Sequence, residues 1–86
     1  MDFSLLIDLE VFDCLESLKK SGQRVLIEAF RAIRNSPRQY SDYSESDSSG
    51  RVVEIHVVTK HAVKFWVDHA DQHIEILEIH LADRAG

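Results

Sequence analysis

The stretch that decides the fold is residues 51–81, RVVEIHVVTKHAVKFWVDHADQHIEILEIHL, where β-branched and aromatic residues crowd together between two short polar breaks. In its first run, Val53, Ile55 and Val57 alternate with polar side chains. This two-residue period is that of a half-buried strand. The alternation predicts that these three side chains face the core, while Glu54 and His56 lie on the far, polar side.

Two further runs complete the same unit. Val63, Phe65 and Val67 alternate within residues 62–67, and an apolar run follows over residues 73–81. Connections over 59–61 and 69–72 are short and polar, as in antiparallel hairpins. In the last run Leu77 interrupts strict alternation, which is typical of a strand that lies between neighbours or is bent by a bulge. The stretch is therefore predicted to be a three-strand antiparallel meander with its last strand inside the sheet.

The residues before the meander predict one strand and two helices. A strand over residues 3–9 leads into a helix with an apolar stripe of Val11, Phe12, Leu15 and Leu18. Ser21 and Gly22 are predicted to break the chain before a second helix, about 22–34, which ends at Pro37. Residues 39–50, QYSDYSESDSSG, are serine-rich and acidic and predict a mobile loop.

The predicted fold is therefore α+β, in the order β-α-α-β-β-β, with a two-helix hairpin on one face of a mainly antiparallel four-stranded sheet. A chain of 86 residues forms a single domain over 1–86. The expected core comprises Phe12, Leu15, Leu26, Phe30, Ile33, Val53, Ile55, Phe65, Ile76 and Ile79.

Composition restricts the classes of function. The single cysteine, Cys14, cannot form an intramolecular disulfide, which fits a reducing compartment and predicts a cytoplasmic protein. The amino terminus has no basic region and no apolar run long enough for a signal peptide or membrane span, so no membrane association is expected. A net charge of −5 argues against nonspecific binding of duplex nucleic acid.

The element order resembles the RelE/ParE superfamily, the toxins of bacterial type II toxin–antitoxin pairs. FSLLIDLEVFDCLESL is similar to the family's opening strand and first helix, RVLIEAFRAIRNSPRQ to its second helix, and HAVKFWVDHADQHIEILEIHLADR to its last hairpin. The resemblance implies an antitoxin as partner, and for RNA-cleaving members the ribosome and its mRNA. Ala62 stands where such members often have an arginine, and the acidic loop replaces a frequently basic one.

Metal-independent RNA cleavage needs a base, an acid and cations, which His, Lys and Arg supply near neutral pH. His56, His80 and Arg84 are predicted as the catalytic residues, near one sheet face. Lys60, His61 and Lys64 are predicted to bind RNA. A merely solvated sheet face is the stronger interpretation of these polar side chains, because polar residues on a sheet face that no helix covers usually serve solvation alone.

No metal or other cofactor is expected. His69 and His73 are four residues apart, but this spacing spans a predicted hairpin and lacks a third nearby ligand. Trp66 is expected to pack on the sheet or stack on a nucleotide base.

The leading hypothesis is thus a toxin, or a relative that keeps its fold, with ribosome-dependent endoribonuclease activity as one option. Two alternatives remain: a ParE-like inhibitor of DNA gyrase, and a non-toxic interaction domain. Ala62 and the acidic loop favour these alternatives.

Overall fold

The structure is a computed structural model, and it describes residues 3–82. Its elements are two helices and five strands: β1 Ser4–Ile7, α1 Leu9–Glu16, α2 Lys20–Asn35, β2 Tyr43–Ser46, β3 Val52–Val58, β4 His61–Asp68 and β5 His73–Leu81. Within the described part of the chain, no helix is long and apolar enough to cross a membrane.

All five strands form one sheet in the order β1-β5-β4-β3-β2. β1 pairs with β5 in parallel, and the other pairs are antiparallel. The predicted α+β class, the meander and the internal position of β5 are confirmed. The strand count is corrected from four to five, because Tyr43–Ser46 pairs with β3 inside the segment that was predicted as a loop.

The helices begin and end differently from the prediction. The chain leaves α1 at Ser17, whose hydroxyl donates to the Cys14 carbonyl at 2.6 Å, and α2 begins at Lys20. Ser21 and Gly22 thus lie in the first turn of α2 and do not break the chain. Glycine is tolerated at a helix end, where fewer backbone hydrogen bonds depend on it.

The core lies between the two helices and one face of the sheet, here called the helix face. Apolar side chains from both layers form one cluster: Val11, Leu15, Leu26, Phe30, Ile33, Val63, Phe65, Ile74, Ile76 and Ile79. All the predicted core residues are buried except Phe12, which is 50% exposed. Val11 is buried in its place, because the short helix α1 turns the Val11–Leu15 side toward the sheet.

The opposite surface of the sheet, here called the open face, carries Tyr43, Glu45, Val53, Ile55, Val57, Ala62, Lys64, Trp66, Glu75, Glu78 and His80. This follows from register, because directly paired residues project to the same side of a sheet. A β-bulge opposite Lys64 and Phe65 places Leu77 and Glu78 side by side on this face. The bulge accounts for the broken alternation in the sequence of β5.

The register of β3 overturns one prediction. Glu54 pairs with Phe65 and His56 pairs with Val63, so both polar side chains lie on the helix face. Val53 and Ile55 are buried as predicted, but on the open face. Alternation showed that the two sets are on opposite sides and could not show which side the helices cover.

Candidate functional site

The centre of the open face is an apolar floor beneath one lysine. Val53, Ile55 and Ala62 are buried there although the helices lie on the other side of the sheet. Lys64 lies on the same face, with its Nζ 3.1 Å from Glu45 Oε1 and 3.8 Å from Glu78 Oε1. Its hydrogen bond to Glu45 is the main reason that the pKa of Lys64 is raised. Lys64 is therefore a permanent cation that two carboxylates already neutralise.

His80 lies beside this lysine on the open face. It pairs with Ala62 across the β4–β5 ladder, and its Nδ1 is 3.4 Å from Glu78 Oε2. His80 is exposed, so its imidazole is accessible to solvent and to a bound ligand. Arg84, the third predicted catalytic residue, lies outside the described residues.

A second cluster on the open face joins an arginine to the only tryptophan of the chain. The Arg51 guanidinium carbon lies 4.8 Å from the centre of the Trp66 ring, and Arg51 Nε is 3.0 Å from Asp47 Oδ2. Hydrogen bonds, first that from the Ser49 hydroxyl, lower the pKa of Asp47 to about 2. The arginine is thus held over the indole, a cation–π contact that the sequence did not reveal.

Two carboxyl groups meet where β1 joins β5. A hydrogen bond with Asp8 is the main cause that raises the pKa of Glu75, with burial and the Asp8 charge acting in the same direction. The neighbouring Asp8 carboxyl therefore favours the protonated form of Glu75.

His56 lies on the helix face, away from His80. Its Nδ1 is 3.1 Å from Asp42 Oδ2, and the Val57 N–H donates to the same oxygen at 2.7 Å. This backbone hydrogen bond is the main cause that lowers the pKa of Asp42. The Tyr40 ring stands edge-on to the imidazole, with centroids 5.3 Å apart. Asp42 therefore orients His56 and ties the segment after α2 to β3.

The predicted site residues consequently fall into separate groups. His56 and His61 are on the helix face, whereas Lys64 and His80 are on the open face. Lys60 is exposed in the β3–β4 turn, where its carbonyl accepts the Ala82 N–H at 2.9 Å. The expectation that His56 and His80 share one face is wrong, because their positions differ by an odd number of residues in the β3–β4–β5 register.

At the β4–β5 turn, ligand atoms of Asp68, Asp71 and His73 lie within 4.8 Å of one another. His69 is elsewhere, edge-on to Phe3 at 6.1 Å, so the two histidines with a spacing of four do not form a pair. Asp68 Oδ2 is already 3.8 Å from His73 Nε2. Because exposed carboxylates often gather at turns without an ion, this group supports no metal assignment.

Comparison with known proteins shows which solved structures share this architecture. No protein-family model and no curated protein sequence matches the chain. The solved structures include an archaeal RelE in the RelE–RelB complex from Pyrococcus horikoshii, with a TM-score of 0.81 and 22% identity over 98% of this chain and 99% of that chain. The chain has a RelE-like fold.

Two further structures share the RelE-like fold at lower identity. The toxin–antitoxin complex RelBE2 from Mycobacterium tuberculosis matches with a TM-score of 0.80 and 11% identity, over 94% of this chain and 99% of that chain. A double arginine-to-alanine mutant of E. coli RelE in the free state matches with a TM-score of 0.74 and 10% identity, over 99% and 88%.

On this RelE-like fold, Ala62 has a specific position. It is buried at the centre of the open face, flanked in register by Val57 and His80. The resemblance would place an arginine here in an RNA-cleaving member. A methyl group at this position has no charge with which to stabilise a phosphate, so the open face differs at its centre from the pattern expected of such members.

Proposed function

We propose that this chain is the toxin subunit of a cytoplasmic toxin–antitoxin pair, held inactive by an antitoxin. The observation that carries the proposal is the fold match to RelE from the RelE–RelB complex, which covers nearly all of both chains. Such coverage leaves no large insertion or missing element that would suggest another use of the fold. The proposal specifies only the class of the partner, an antitoxin, because fold alone does not determine function.

Exposed apolar surface supports a protein partner. Among residues 3–82, ten large apolar side chains are exposed, including Leu9 and Phe12 on α1 and Val57 and Tyr43 on the open face. Several neighbouring exposed apolar side chains commonly mark an interface.

Controlled expression in a bacterial host tests the proposal. Induction of the parent chain should slow growth, and coexpression of a candidate antitoxin that binds it should restore growth. Phe65→Asp, which puts a carboxylate into the buried core, is the unfolded control and should be harmless. Normal growth with abundant folded parent chain would reject the toxin assignment and leave a non-toxic interaction domain.

For the toxic activity itself, we propose cleavage of ribosome-bound mRNA on the open face. His80 would exchange the proton of the attacking 2′-hydroxyl or of the leaving oxygen, while Lys64 and Arg84 would supply positive charge. Lys60 and His61 would contact RNA from the β3–β4 end of the sheet. His56, held by Asp42 on the other face, could serve only a separate contact. Translation-dependent cleavage of mRNA, with loss in His80→Ala, would support this activity.

One observation favours a second activity, ParE-like inhibition of DNA gyrase. The open face combines a buried apolar floor with a lysine already paired to Glu45 and Glu78. That arrangement suits contact with a protein surface better than charge stabilisation on a phosphate. A supercoiling assay with purified gyrase separates the two: inhibition without mRNA cleavage would select the gyrase target.

A further inference from the structure

A group of exposed apolar residues lies where β1 passes into α1. Of the ten large ones in residues 3–82, Ile7, Leu9 and Phe12 fall within six consecutive positions. Leu6 is also exposed, but it pairs with Glu75 and therefore lies on the open face. Leu9 is 73% exposed, more than any other large apolar side chain in residues 3–82. Leu9 and Phe12 are three positions apart on α1, so they project from the same side of the helix.

The charges around these residues have one sign. Residues 3–18 include four acidic side chains and no basic one. Asp8 is engaged with Glu75, whereas Glu10, Asp13 and Glu16 form no ion pair with any residue in 3–82. These three carboxylates lie on α1 next to Leu9 and Phe12. We call this surface, Ile7, Leu9, Phe12, Glu10, Asp13 and Glu16, the acidic–apolar patch.

The rest of the helical layer is different in charge. The groove along α2 is lined by three basic residues, Lys20, Arg24 and Arg31, and one acidic residue, Glu28, around Ile27. The acidic sign of the patch is therefore a local property of α1 and not a consequence of the net charge of the chain.

We propose that the acidic–apolar patch binds a basic amphipathic segment of the antitoxin, whose apolar side chains cover Leu9 and Phe12 while its lysines or arginines pair with Glu10, Asp13 and Glu16. The proposal rests on the proposed function for the identity of the partner. Charge complementarity favours a basic peptide over the other possible binding partners of the patch. A second copy of this chain, related by a twofold axis, would bring the same carboxylates together, and an anionic lipid surface would be repelled.

The chemistry of the patch can be tested with a defined probe. The probe is a synthetic helical peptide with leucines along one face and lysines on the rest, labelled for fluorescence anisotropy and titrated with the full chain. The control peptide has glutamate in place of every lysine. The parent chain should bind the lysine peptide, more weakly as ionic strength rises, and should bind the glutamate peptide at least about tenfold more weakly.

Matched variants locate the binding. Leu9→Gln with Phe12→Gln should weaken binding about tenfold or more, and Glu10→Gln with Asp13→Asn should weaken it and reduce its salt dependence. Val25→Gln with Ile27→Gln, which alters two exposed apolar residues on α2, should leave binding within about twofold. Circular dichroism checks that each variant is folded.

Two results would overturn the inference: no binding of the lysine peptide by the folded parent chain, or equal weakening by the α2 control. Concentration-dependent dimerisation of the parent chain that the Leu9 and Phe12 substitutions abolish would assign the patch to a second copy instead. These outcomes do not depend on the growth assay. A parent chain that is harmless yet binds through the patch would reject the toxin assignment alone, whereas a toxic chain without patch-dependent binding would reject this inference alone.

Discussion

At the scale of single residues, Asp42 joins the segment after α2 to β3. Its Oδ2 accepts the Val57 N–H and contacts His56 Nδ1. Asp42→Asn should lower the free energy of unfolding by about 1 kcal/mol at neutral pH, because a charged acceptor is replaced by a neutral one. Urea denaturation measures the change, with Glu28→Gln, an exposed carboxylate on α2, as the control.

The pH dependence of that loss follows from the lowered pKa of Asp42, caused first by the Val57 hydrogen bond. A carboxyl group with a lowered folded pKa contributes stability above its unfolded value of 3.8 and loses it as pH falls through the folded value. The parent chain and Asp42→Asn should therefore converge in strong acid. An equal difference at all pH values would contradict the assignment.

The contribution of Glu75 to stability should depend on pH with the opposite sign to that of Asp42. The hydrogen bond with Asp8, together with burial, raises its pKa above 4.5, so its contribution to stability is present below that pH and lost as pH rises through the folded value. Glu75→Gln should keep the hydrogen bond without the repulsion and raise Tm by a few degrees at neutral pH. Thermal unfolding at several pH values tests this; Glu78→Gln, which loses ion pairs, should give no gain.

At the scale of elements, the two helices bury their phenylalanines to very different extents. Phe30 of α2 is almost fully buried, whereas Phe12 of α1 is half exposed. Phe30→Ala should therefore cost about 3–5 kcal/mol of unfolding free energy and Phe12→Ala less than about 1 kcal/mol. Denaturant unfolding of the two variants provides a matched comparison, and similar losses would show that α1 is packed differently.

Strand β2 gives a second prediction at this scale. It is exposed along its length, yet it pairs with β3 from Tyr43 to Ser46. Amide hydrogens that β2 and β3 share should exchange with solvent more slowly than those of Ser48 and Ser49 in the following turn. Hydrogen exchange by NMR measures this, and uniform fast exchange over residues 39–50 would restore the original prediction of a mobile loop.

At the scale of the whole molecule, the sheet separates the two histidines that were predicted to act together. His80 lies on the open face with Lys64, and His56 lies on the helix face with Asp42. If the chain cleaves mRNA, His80→Ala should reduce the rate about a hundredfold or more, because general acid–base catalysis contributes that much. His56→Ala should leave the rate within a few fold. Equal losses in two folded variants would contradict the separation of the faces.

Much of the fold could be predicted from local patterns in the sequence. The period of two in residues 51–81 identified the meander, and the interruption at Leu77 anticipated the bulge in β5. The apolar stripe of α2 identified Leu26, Phe30 and Ile33 as core. These features are local because side-chain spacing alone sets which residues of a strand or helix share a side.

The contacts of the candidate site were harder to predict from the sequence than the fold. The contacts of Arg51 with Trp66, and of Asp42 with His56, join residues 14 or 15 positions apart through strand pairing, with no motif that marks them. β2 was missed because a short, serine-rich strand at the edge of a sheet lacks the apolar alternation by which strands are recognised.

The sequence by itself determined the class of fold, the order of the two helices and four of the five strands, and most of the core, since hydrophobic periodicity is a property of each segment. Only the tertiary structure decided which side of β3 the helices cover, and therefore that His56 and His80 are on opposite faces. The physical reason is that alternation is symmetrical: it separates two sets of side chains equally well whichever set is turned toward the helices. Packing of α1 and α2 against Val63 and Phe65 breaks that symmetry.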